Sequence, residues 1–282
     1  KYLAPSFNNR LALLNSVSSE TAKPTVADKE TTTTSAYTRF LSRLFANRGA
    51  ERMGFLITWK LTGRSRDFKV KVYPSIGYLL VIVVMMFLRN GNGVSLNNMA
   101  DGKERGLIIS ALYFTSILLL SAVNQMAQSD KFKAAWLYFI APLQQPGAVI
   151  SGSLKAALCK FYLPVVLTTT LVSLYFIGLP VLPNIILGLC NQLLITTLMV
   201  YGNAKVFPFS TPPNNNANGG NFLKTMMLLI VSGAIGFSHY LVYNITPVVL
   251  LFTVLSGLAT WLLLSSIRET PWTKIKSAYA DA

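Results

Sequence analysis

His239, the only histidine in the chain, sits in GFSHY directly after Ser238. A serine beside a histidine suggests a nucleophile with its base, the pairing used in covalent hydrolysis. On a helix, though, adjacent side chains point about 100° apart, so these two cannot serve each other. His239 is left with two readings, proton carrier or hydrogen-bonded packing residue, and packing is the simpler. Cys159 and Cys190 lie in or near hydrophobic runs with no metal-ligand spacing, and read as apolar filler. GAVISGSLK, residues 147–155, has the GxxxxG of a phosphate loop. It then continues Ser-Leu-Lys where Lys-Ser/Thr is required, and no strand precedes it. These residues predict a chain that is not an enzyme by itself and that binds neither metal nor cofactor.

The elements that would position such groups are written in the composition. Of 282 residues, 52% are hydrophobic and 12% charged, with a mean hydropathy of +0.47. A soluble domain carries about twice that share of charge, so an integral membrane protein is expected. The net charge of +15 does not point to nucleic acid, because the basic residues cluster beside hydrophobic runs. No signal-peptide pattern opens the chain, which starts KYLAPSFNNR without methionine and reads as a processed or partial piece.

The expected fold is all-α and polytopic. Residues 1–36, rich in Ser and Thr, read as a polar linker or loop, poorly ordered. Residues 37–71 form a basic amphipathic region in which Phe40, Leu41, Leu44 and Phe45 recur at helical spacing, suited to the headgroup layer. Six spans come next, at about 72–88, 106–123, 161–179, 181–201, 225–244 and 248–267, each near the length needed to cross about 30 Å of hydrocarbon. Two long charge-free blocks are each broken into a hairpin by proline, at GLPVLPN and YNITPVV. Residues 268–282 make a tail. Under this arrangement 22 of the 25 Lys and Arg fall on one side of the membrane, 13 of them before the first span. The positive-inside rule therefore places both termini in the cytoplasm of a cell (inner, cytoplasmic) membrane.

No Asp or Glu lies inside any expected span. Ion-coupled transporters usually hold the driving ion with intramembrane carboxylates or unwound helices, so energy for transport would have to come from a partner. Asn191 and Gln192 in span four can bond across helices or, with Thr196, line a pathway. Ser232 and Gly236 form a small-xxx-small pair suited to close helix contact.

Between spans two and three lies SDKFKAAWLYFIAPLQQPGAVISGSLKA, residues 129–156, too broken by proline to be a span and too apolar for an ordinary loop. Ser129 and Asp130 can cap a helix that puts Phe132, Trp136, Phe139 and Leu143 on one face. Pro142 and Pro146 then bend it, and a second helix runs from about Gly147 into span three. The result is an apolar elbow at the cytoplasmic face. An interfacial anchor and a protein-docking element fit equally well.

Six spans, a basic helix before the first, and this insertion together resemble the membrane (permease) domain of a type-2 ATP-binding-cassette (ABC) exporter. The resemblance covers about residues 37–270 and is closest at the elbow. It implies a coupling helix that docks on a cytoplasmic ABC ATPase subunit, with Trp136, Pro142, Leu143, Gln144, Gln145 and Pro146 as contacts. It places Phe40, Leu41, Leu44 and Phe45 in the connecting helix, ATP and Mg in the partner subunit, and a second permease half or a homodimeric copy alongside. The alternatives are an ATPase-independent transporter or channel-like bundle, or a structural membrane subunit of a larger complex. A largely apolar bundle hints at amphipathic cargo.

Overall fold

The computed structural model describes residues 35–89, 105–176, 178–203, 205–213 and 218–276. The chain divides into two units, Lys1–Arg39 and Phe40–Ala282. Of the first, only residues 35–39 are described, so the polar linker expected over 1–36 lies almost wholly outside the described residues. The elements are α-helices α1 (Ala36–Phe45), α2 (Ala50–Arg64), α3 (Arg66–Arg89), α4 (Arg105–Met126), α5 (Trp136–Ile140), α6 (Pro146–Ala157), α7 (Leu163–Phe176), α8 (Leu182–Gly202), α9 (Asn218–Val242) and α10 (Thr246–Arg268). Short 3₁₀ turns cover Phe132–Ala135, Leu179–Val181 and Trp272–Lys274, and one π turn, Leu158–Tyr162, joins α6 to α7. No strand occurs among the described residues.

Among the described residues, four stretches are long and apolar enough to cross a membrane: Ile108–Met126, Pro146–Tyr175, Leu179–Gly202 and Thr246–Arg268. The chain is an all-α, multi-pass membrane protein. The apolar part of α9, Met226–Val242, is shorter. The expected first span, 72–88, falls inside α3 behind the charged turn holding Lys69 and Lys71. The expected third span, 161–179, is only the second part of a longer rod that starts at Pro146. Proline suits that first turn because its missing N–H would be unpaired there in any case. Pro183 and Pro247 open α8 and α10 in the same way, and Gly178, at φ 86°, makes the turn that a residue with a side chain would resist.

The expected amphipathic region 37–71 is instead two helices and the start of a third. Gly49, at φ 88°, turns the chain between α1 and α2. On α1, Phe40, Leu44 and Phe45 are exposed while Leu41 is buried against Ala46, Phe55, Ala156 and Cys159. α2 is buried along one face only. It packs along α6, with Gly54 against the Val149 backbone and Gly152 against the Glu51 backbone, and it buries Phe55, Thr58 and Thr62. Only glycines on both helices permit that approach, because a Cβ at either site would fall within van der Waals distance of backbone. The rest of the bundle pairs α3 with α4, α10 with α8, and α4 with both α8 and α9.

Candidate functional site

The elbow's inner face is fixed. Tyr138 stacks on Phe207 at 4.7 Å between ring centroids, and Trp272 meets Phe207 and Phe139 at 5.7 and 5.9 Å. The Trp272 indole N–H donates to the Leu143 carbonyl at 3.0 Å. Residues after Trp272 therefore do not begin as a free tail: the Lys276 amide bonds the Lys205 carbonyl at 2.8 Å. Gly147 sits against the Ile267 backbone at the end of α10.

The outer face differs from the expected one. A 3₁₀ turn over Phe132–Ala135 advances about 120° per residue instead of 100°, which shifts the phase of the α5 turn behind it. Ala135 and Tyr138 face inward, while Trp136, Leu137 and Ile140 are 53%, 54% and 64% exposed. The grouping of Trp136 with Phe132, Phe139 and Leu143 on one face is thus corrected: Trp136 is more exposed than Phe132 and Leu143. Pro142, Gln144 and Gln145 are exposed, Leu143 is half-buried and Pro146 is buried. Asp130 caps no helix; Ser129 Oγ accepts the Lys131 amide at 3.1 Å.

Behind the elbow lies a feature the sequence did not announce. Glu51, 2% exposed, meets Lys155 Nζ at 2.5 Å and accepts from the Ser151 hydroxyl at 3.2 Å and the Asn47 amide at 3.3 Å. Arg268 Nε stands 4.0 Å from its other oxygen. One carboxylate therefore ties α2, α6 and the end of α10 together. Glu51→Gln is expected to lower stability by about 1–2 kcal/mol, less than a sealed ion pair would lose because Lys155 reaches water. Unfolding titrations in mixed detergent check this. The Glu51→Gln, Lys155→Met double variant should recover part of the loss, and a further loss would refute the ion-pair account.

At the opposite, hairpin end the interior is polar but closed. The Asn191 amide donates to Tyr113 Oη at 2.7 Å, and the Ser256 hydroxyl donates to Asn191 Oδ1 at 2.6 Å. His239 bridges Tyr113 Oη and Asn184 Oδ1, both at 3.2 Å. Asn184 Oδ1 can only accept, so Nε2 carries the proton and Nδ1 accepts from the tyrosine. His239 is thus a bonded packing residue, and Ser238 points elsewhere, to the Ala234 carbonyl. One turn further in, Gln192, fully buried, accepts from Ser116 at 2.8 Å and donates to Thr115 at 2.6 Å. Ser116 and Ser232 lie 2.7 Å apart and Gly236 faces the Tyr113 ring, so the small-residue pair does seat α9 on α4. Thr196 bonds only its own helix, at the Gln192 carbonyl.

From the elbow end a cleft of about 520 Å³ runs between α4, α6, α8 and α9. Leu120, Met199 and Leu228 line both this cleft and a void of about 10 Å³ under Ser116 and Thr196. The cleft thus ends beneath the polar network. Asn191 and Gln192 lie within the bonded network, and Thr196 borders the small void between that network and the cleft.

No group of three or more His, Cys, Asp or Glu able to hold a metal occurs among the described residues. Comparison with protein families, curated proteins and solved structures returns no match.

Proposed function

We propose that this chain is the membrane permease part of an ATP-driven exporter of the type-2 ABC class, with the elbow as the contact for a cytoplasmic ATPase. The observation that carries the reading is the elbow's division of labour. Its inner face is locked by Tyr138, Leu143 and Trp272, while Trp136, Leu137 and Ile140 stand exposed at its edge. An apolar edge of this kind on a rigid mount suits docking better than lipid anchoring, because its neighbours Pro142, Gln144 and Gln145 are polar or stiff. Displacement of the elbow would pass directly into the rod Pro146–Tyr175, which is continuous with it. The Glu51 cluster would carry the same displacement to α2 and α10, so that helices shift as bodies. The π turn at Leu158–Tyr162 supplies a compliant point within that rod. In this reading ATP and Mg bind the partner, both termini and the elbow are cytoplasmic, six spans include α3 and α9, and a second half or second copy completes the pathway. The bonded network at the hairpin end supports a gated route over an open pore.

The test is purification of tagged chain from native membranes with MgATP hydrolysis as the readout. Gln144→Asp with Gln145→Asp is expected to remove the co-purifying ATPase while leaving membrane insertion unchanged. Equal ATPase recovery from the double variant refutes the contact. An impermeant maleimide that labels Gln144→Cys from outside intact cells would refute the orientation.

A further inference from the structure

The cleft has a rim that the transport reading does not use. Its walls are apolar, with Leu120, Leu154, Met199 and Phe207 along the depth, and none of its lining residues is Asp or Glu. Its side is open where Leu198 and Met227, 44% and 67% exposed, stand on α8 and α9. With α8 and α9 both taken as spans, as in the proposed reading, this side of the cleft opens toward the bilayer.

At the mouth stands Lys205. Its ammonium donates to the carbonyls of Val200, Tyr201 and Asn203 at 2.9, 2.5 and 3.5 Å, which holds the charge at the carbonyl end of α8. Pairing of Lys205 with Ile275, and the Lys276 amide bond to the Lys205 carbonyl, bring the backbone of residues 274–276 alongside Lys205. Burial first, and then the nearby Lys274 charge, push the Lys205 pKa down. A mostly apolar recess of this size with a few placed polar groups is the ordinary form of a small-molecule site.

We infer that the cleft between α4, α6, α8 and α9 binds a single-chain anionic amphiphile taken from the bilayer, its chain along Leu120, Leu154 and Met199 and its head at Lys205, Lys274 and Lys276. The inference is independent of any ATPase.

The test uses the whole chain in nanodiscs of phosphatidylcholine, without nucleotide or partner. Dansyl-undecanoic acid and its methyl ester serve as probes, read by fluorescence. The acid is expected to bind saturably and more tightly than the ester. Lys205→Gln keeps an amide to cap the α8 carbonyls but removes the charge. It and Lys274→Gln, which is exposed, should each weaken the acid about fivefold and leave the ester unchanged. Lys205→Arg should restore the acid's affinity. Met227→Trp, at an exposed position on the entrance, should weaken both probes. Equal binding of acid and ester in the unaltered protein, or an indifferent Met227→Trp variant, overturns the site. So does the absence of saturable binding.

Discussion

Gly152→Val is expected to destabilise the protein by about 3 kcal/mol or more, whereas Gly257→Val should be close to neutral. A Cβ on Gly152 would collide with the Glu51 carbonyl oxygen and come within 2.8 Å of its carbon and 3.0 Å of the Phe55 amide nitrogen. All three atoms are backbone, so no rotamer relieves the contact, and overpacking against a fixed wall sits at the upper end of the usual 1–3 kcal/mol range or beyond it. The helices must part, which lengthens the Glu51–Lys155 pair and opens the packing around the fully buried Phe55. Nothing lies within 4 Å of the corresponding position at Gly257, and valine is a better helix former than glycine. The comparison therefore isolates the α2–α6 crossing from any general effect of valine in a membrane helix. Unfolding midpoints in mixed detergent measure both. Equal midpoints would mean that α2 does not ride on α6 as described.

That crossing also shows why the fold was only partly legible in the sequence. Hydrophobic length is a local property, and it marked the stretches inside α4, α8 and α10 almost to their ends. The prolines and Gly178 marked the turns for an equally local reason. Residues 50–64 gave only part of their signal, because Arg52, Lys60 and Arg64 stand out while the residues that set the packing are the silent ones. Gly54 and Gly152 carry no hydropathy to speak of, and their roles depend on each other across a long stretch of chain. Glu51 was hidden for the same reason: one acid among many bases reads as surface, and its burial depends on Lys155 and Ser151. At the elbow the error was of phase. Trp136 comes after a 3₁₀ turn that a helical count cannot see, so it does not share a face with Phe132 and Leu143 as the count had it. By contrast Asn191 and Gln192 were visible because an amide in an apolar helix must find a partner. Their partners were not visible, since Ser116, Tyr113 and Ser256 are unremarkable on their own helices.

Those partners determine the remaining large effect. Gln192→Leu is expected to cost about 2 kcal/mol, despite making α8 more apolar and so easier to insert. The Gln192 side chain is fully buried and is held from α4 by Ser116, Thr115 and the Leu112 carbonyl. Single interhelical hydrogen bonds in membranes average about 0.6 kcal/mol, but here a branched leucine must also fit the slot of a longer, planar amide. Thr196→Val, one turn away and equally buried, removes a hydroxyl bonded only to its own helix at the Gln192 carbonyl, and should cost less than about 1 kcal/mol. The contrast between the two separates cross-helix bonding from burial. A double-mutant cycle of Gln192→Leu with Ser116→Ala should give a coupling of about 0.6–1.7 kcal/mol, because the pair shares one bond at 2.8 Å. Zero coupling, or a Thr196→Val loss as large as that of Gln192→Leu, would mean that the α4–α8 contact at Gln192 is held by packing alone. In that case no polar latch would close the hairpin end.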